Sequence, residues 1–144
     1  MTLDKQQVEC LARAALTAAL TADGLEVARP ERDAGIDLLA YTINPLRVAP
    51  IQMKAATVTG WSIDRKYGQV DGLVMVYVWN ARSLGDAEFY AMTYQEASDV
   101  VDAGGWSWDS RGRYARTQVT GDLLLAVQRH RVLPGQWKQT LLDH

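Results

Sequence analysis

The chain has a single cysteine, Cys10, in 144 residues. That count excludes an internal disulfide framework and a cysteine-based metal cluster, and nothing requires an oxidising compartment. Histidine is almost as scarce. His130 and His144 form no His-x-x-His or His-Glu pair of the kind zinc needs, and His130 reads as a cation complementing a helix C-terminus. Long apolar runs are missing. The longest, Leu73 to Trp79, is far short of the roughly 20 residues of a membrane span. The opening Met1-Thr2-Leu3-Asp4-Lys5-Gln6-Gln7 lacks the basic-then-apolar order of a signal peptide. The expectation is a soluble cytoplasmic domain with no membrane partner. There is no large excess of one charge sign either. Fifteen Lys+Arg face 17 Asp+Glu, for a net charge of −2, which argues against a broadly basic nucleic-acid coat. A Gly-x-x-x-x-Gly-Lys phosphate loop, a Gly-x-Gly-x-x-Gly dinucleotide turn and a serine-hydrolase elbow are all absent.

Hydrophobic residues make up 48% and charged residues 22%, an ordinary globular composition. The length fits one domain, on a prior of about 150 residues. Val8, Leu11, Ala12, Ala15, Leu16, Ala19 and Leu20 share one helical stripe. Asp4 and Gln7 can form its capping box, and Gly24 its stop. Cys10 is expected to pack among the small residues of this helix. Strands are expected at Leu25–Arg29, Gly35–Thr42 and Val48–Val58, with a turn at Asn44-Pro45. Gly60 to Gly72 reads as a loop with a short helical turn. Leu73 to Trp79, apolar on both faces, reads as a central strand covered on both sides. Ala87 to Met92 is a further strand. Thr93 and Glu96 cap a helix through Val101, and Trp106 to Arg116 is irregular or β. Thr120 is placed to cap a helix over Gly121–His130, and a short tail helix follows. The expected fold is a single α/β domain, a mixed central β-sheet flanked by helices. Residues 1–103 would form its core, and 104–144 an extension packed on the same domain.

Side chains alternate faces along a strand. In the third strand Ile51, Met53 and Ala55 therefore share the core face, and Gln52 and Lys54 share the other. If the second and third strands pair, Asp37 comes beside them. A carboxylate, an amide oxygen and an ammonium then meet on one patch. Asp37 and Lys54 also admit a plainer reading as a cross-strand ion pair on a solvated face. Glu9 can pair with Arg13 at i,i+4. Asp33 reads first as a turn former.

Gly35-Ile36-Asp37 followed by Gln52-Met53-Lys54 resembles the PD-(D/E)XK, or restriction-endonuclease-like, nuclease superfamily. The resemblance is nearer to its Mrr-like branch, in which Gln-x-Lys serves as the second motif. It runs from about Gln6 to Val101 and takes in Glu9 on the first helix and Asp33 to Asp37. Two positions depart from the pattern. Ile36 rather than proline precedes Asp37, and the neutral Gln52 stands where an acid is commoner, a deficit that Glu9 could make up. The resemblance implies a restriction-endonuclease-like core and a metal-dependent endonuclease or phosphodiesterase acting on nucleic acid, DNA before RNA. It implies catalytic roles for Asp37, Gln52 and Lys54. It also implies that Mg²⁺ or Mn²⁺ is held by Asp37, Gln52, the backbone carbonyl of Met53 and Glu9. Such a cation takes oxygen ligands and keeps several waters.

In the loop that follows, Arg65, Lys66 and Tyr67 combine two cations with an aromatic ring and are candidates to contact nucleic acid. A lid packed by Trp61 and Tyr67 is the other reading of that loop. Trp106 and Trp108 read as core or interface residues. A homodimer is one way for so small a domain to span a duplex. The alternative function is a non-catalytic relative of the same fold that binds nucleic acid or protein. The charge is also uneven. Residues 1–107 hold 9 basic and 14 acidic side chains, and residues 108–144 hold 6 and 3. A phosphate-binding surface would therefore be local.

Overall fold

A computed structural model of the chain describes residues 2–143; His144 lies outside them. Helix α1 spans Lys5–Ala22. Asp4 accepts from the Gln7 amide at 2.8 Å and the Gln7 side chain accepts from the Asp4 amide at 2.9 Å, so the capping box forms. Val8, Ala12, Ala15, Leu16 and Leu20 are its buried stripe. Cys10 is exposed, contrary to the expectation that it packs. At 100° per residue it lies about 200° round the helix from Val8, on the outer side.

Strands β1 (Glu26–Ala28), β2 (Leu38–Ile43) and β3 (Leu46–Ala55) form an antiparallel set. The turn at Asn44-Pro45 contains a cis peptide bond. β3 then pairs in parallel with β5 (Val74–Trp79), which pairs antiparallel with β6 (Glu88–Thr93). A two-residue strand, β8 (Arg131–Val132), closes the far edge against β6. The sheet order is β1-β2-β3-β5-β6-β8, so the domain is a mixed α/β fold as expected. β8 is an element the periodicity did not expose; two residues are too few to show an alternation.

Both faces of the sheet are covered. Val74, Val76 and Val78 of β5 join α1, Ile51, Met53 and Trp137 in one core. Met75, Tyr77 and Trp79 join a second core with Trp61, Ile63, Tyr90, Tyr114 and Leu123. All six β5 residues are buried, as a strand inside a covered sheet requires. The second core is roofed by α2 (Tyr94–Ala103), α3 (Gly121–Gln128) and a two-stranded antiparallel ribbon of β4 (Trp61–Asp64) and β7 (Arg113–Arg116). A 3₁₀ turn, Arg65–Gln69, follows β4. The 3₁₀ turn is the short helical turn expected in this loop, and β7 falls in the stretch expected to be irregular or β; β4 and its pairing with β7 are not legible in the sequence, because both strands are short and about 50 positions apart. Thr93 and Glu96 form the expected capping box of α2. Thr120 makes no side-chain cap bond to α3. Helix α4 (Trp137–Leu142) closes the chain on the first core, with Trp137 and Leu141 buried.

Candidate functional site

The site begins where β2 stops short. Leu38 pairs with Ile51, so β3 runs on past the start of β2 and leaves the edge of residues 52–55 open on that side. Asp37 sits at this step. Its amide donates to the Ile51 carbonyl at 2.8 Å. Its Oδ2 accepts from the Met53 amide at 2.8 Å. The carboxylate thus satisfies a ladder N–H for which β2 offers no carbonyl. A strand residue that pairs does so through its N–H and C=O on the same edge, so the Met53 carbonyl turns toward the same gap. Asp33 Oδ1 accepts from the Gly35 amide at 3.2 Å, and Gly35 has φ +89°. Asp33 therefore acts as a turn former and delivers Asp37 to the step.

Gln52 and Lys54 share a face, as alternation requires, but that face is not solvated. It belongs to the second core, so a polar patch in water is the wrong picture. Gln52 is only 7% exposed. No hydrogen bond to its side-chain amide forms among the described residues, and the amide keeps access to the cleft that Gln52 lines. Lys54 Nζ donates to the Tyr67 hydroxyl at 2.8 Å. It forms no ion pair with Asp37, so the cross-strand salt bridge is not what holds either residue. Burial of the Asp37 carboxyl is the main effect that raises its pKa above the usual value of 3.8; the Met53 hydrogen bond, Lys54 and Arg13 oppose it, and Asp33 adds to it.

A cleft of about 890 Å³ opens over this step. Its floor is Asp37, Gln52, Met53, Lys54 and Ala55. Helix α1 supplies one wall through Lys5, Glu9 and Arg13, a single i, i+4, i+8 row. The ribbon supplies another through Trp61, Ser62, Ala115 and Arg116. Glu9 thus reaches the same cleft as Asp37, Gln52, Met53 and Lys54. It makes no ion pair with Arg13. The geometry brings together one carboxylate with a free oxygen, a second carboxylate on α1, a buried amide and an ammonium. A smaller cavity of about 410 Å³ adjoins the cleft through Gln52, Tyr67 and Asp33.

Lys66 Nζ lies 5.4 Å from the centre of the Tyr67 ring and both residues line the smaller cavity, whereas Arg65 turns to Trp108. Arg65 lies 4.5 Å from the centre of the Trp108 ring. Lys66 stands 4.0 Å from Asp64 and lines the smaller cavity. Tyr67 is buried, so its ring faces the core, and its hydroxyl positions Lys54. Trp106 stacks on Tyr114 at 5.9 Å, and Trp108 Nε1 donates to Asp102 at 3.0 Å, so both tryptophans pack within the chain. His130 Nδ1 lies 3.8 Å from Glu96, far from the cleft in sequence and structure. Sequence reasoning missed Lys5 and Arg116 as cleft residues. The α1 row could have disclosed Lys5, but nothing local marks Arg116.

Among the described residues, no group of three or more His, Cys, Asp or Glu side chains is placed to hold a metal ion. The oxygens available are those of Asp37, Gln52, Glu9 and the Met53 carbonyl, the chemistry Mg²⁺ favours. No helix among the described residues is long and apolar enough to cross a membrane. No protein-family model, curated protein or solved structure matches the chain.

Proposed function

We propose that the cleft over the β2–β3 step hydrolyses phosphodiester bonds in nucleic acid, DNA before RNA, with Mg²⁺ or Mn²⁺ as cofactor. The reading rests on the resemblance of Gly35-Ile36-Asp37 and Gln52-Met53-Lys54 to PD-(D/E)XK nucleases of the Mrr-like branch. The observation that carries it is the shared cleft, with Asp37, Gln52 and Lys54 on its floor and Glu9 on its wall.

A divalent ion bound here would polarise the phosphate and acidify a water. Asp37 would hold it through Oδ1, since Oδ2 is committed to the Met53 amide. Gln52 and the Met53 carbonyl would add neutral oxygens, and Glu9 a second negative charge. Lys54, steadied by Tyr67, would neutralise charge that grows on the phosphate oxygens. Tyr67 orients that ammonium without spending its charge, as an acidic partner would.

Incubation of the protein with plasmid and linear DNA in Mn²⁺ tests the activity. Cleavage by wild type, with losses of about 10²-fold or more in Lys54→Ala, is the expected result. Cleavage that persists unchanged in Lys54→Ala would sink the mechanism. The neutrality of Gln52 favours a second reading, a non-catalytic relative that binds nucleic acid or protein; DNA binding without cleavage would select it.

A further inference from the structure

Apart from Glu9, the resemblance concerns the floor of the cleft and not its walls, which are made by elements on opposite faces of the sheet. α1 packs on the first core and the ribbon on the second, and both line the cleft over the open edge of β3. Each wall carries a cation toward that edge: Arg13 on α1 and Arg116 at the end of β7. Arg116 lies opposite Trp61 in the ribbon register. Its Nε donates to the Tyr114 hydroxyl at 3.0 Å, and Tyr114 is buried. The guanidinium is thereby held by its inner edge, 5.4 Å from the centre of the Tyr114 ring, and its two terminal nitrogens make no hydrogen bond or ion pair among the described residues. Arg13 likewise forms no ion pair, although Glu9 stands one turn away. The cations that do form ion pairs, Arg47, Lys66 and Arg113, all lie outside the cleft lining.

The local charge supports the same conclusion. The chain as a whole has an excess of two acids, yet the cleft lining holds Lys5, Arg13, Lys54 and Arg116 against Glu9, Asp33 and Asp37. A net positive recess in a net negative protein draws polyanions to one place. A guanidinium fixed at one edge and free at the other presents the two-pronged donor that phosphate oxygens accept.

We propose that Arg13 and Arg116 form a two-sided phosphate clamp, holding nucleic-acid backbone phosphates on either side of the one over Asp37. This deepens the nucleic-acid reading of the cleft and rests on it, but it concerns binding and not turnover. The test is therefore binding without divalent metal, read as fluorescence anisotropy of a fluorescein-labelled DNA oligonucleotide, single-stranded and annealed, over a series of salt concentrations. Arg13→Ala and Arg116→Ala should each weaken binding about five- to tenfold and lower the salt slope by about 1. Arg116→Lys should keep most of the affinity and Arg116→Glu should lose more than Arg116→Ala. Lys138→Ala, on α4 away from the cleft, should bind as wild type, and circular dichroism checks that each variant is folded. Wild-type affinity in both alanine variants, a loss equal to that of Lys138→Ala, or no binding by wild type would overturn the clamp. If wild type cleaves and Asp37→Ala does not, while both arginine variants bind normally, the clamp fails and the hydrolytic reading stands. If the arginine variants bind weakly but no metal-dependent cleavage is found, the clamp stands and the hydrolytic reading fails.

Discussion

Asp37 bears opposing demands: its carboxylate completes a backbone ladder, yet burial resists its charge. Burial prevails, so its folded pKa lies above 3.8. The ionised form therefore costs the folded state stability. The stability it contributes is fully present below pH 3.8 and is lost as pH rises through the higher folded value. Asp37→Asn, which keeps an oxygen for the Met53 amide, should raise the melting temperature at neutral pH. That advantage should shrink as the pH is lowered toward 3.8, and thermal melts of both proteins across pH check it. Gln52 poses the converse case. Gln52→Glu places a charge at a position 7% exposed and should cost roughly 1–3 kcal/mol without metal. Added Mn²⁺ should restore more stability to this variant than to wild type, since it gains a carboxylate ligand. Melting curves with and without Mn²⁺ measure both effects. The pairing of Gln52 with Lys54 was legible from alternation alone. That Trp61 and Tyr67 cover this face was one of the two readings of the loop after β3; that Tyr114 joins them was not legible, because it is brought there by the pairing of β7 with the distant β4.

At the scale of elements, the capping rules separate the helices. Asp4 and Thr93 make their cap bonds, and Thr120 does not. Alanine at Asp4 or Thr93 should cost about 0.5–2 kcal/mol, and Thr120→Ala should cost far less, as chemical denaturation can measure. In the sequence Thr120 looks as good a cap as Thr93. It differs in lacking a Glu or Gln three residues on to close the box; Leu123 stands there and is buried. α1 was legible from its long apolar stripe, β5 from an unbroken apolar run and α2 from its capping box. The ribbon and β8 were not, since two to four residues carry no period and their pairing is set by distant partners. The step between β2 and β3, on which the site depends, escaped for the same reason. The sequence reading started the second strand at Gly35, whereas the left-handed Gly35 and the Asp33 turn delay it to Leu38. That delay is what opens the edge of β3.

For the whole molecule, two cores back to back on one sheet make the cleft a seam and not a pit in either layer. A core truncation on either face should therefore be felt there. Leu16→Ala in the first core should cost about 2–5 kcal/mol, measurable by urea denaturation. The segment from 104 onward lends β7 to the second core and β8 to the sheet edge, and it carries Ala115, Arg116, Thr117 and Gln118 to a cleft otherwise built from the first half of the chain. Net charge alone argued against a phosphate surface; the fold resolves this by gathering four cations around three acids at one seam. The central claim is that Asp37 anchors a divalent-metal site there. Isothermal titration of Mn²⁺ into wild type and Asp37→Ala tests it most directly. The account predicts one saturable site in wild type and none in Asp37→Ala; equal binding by the two proteins, or no binding by wild type, would contradict it.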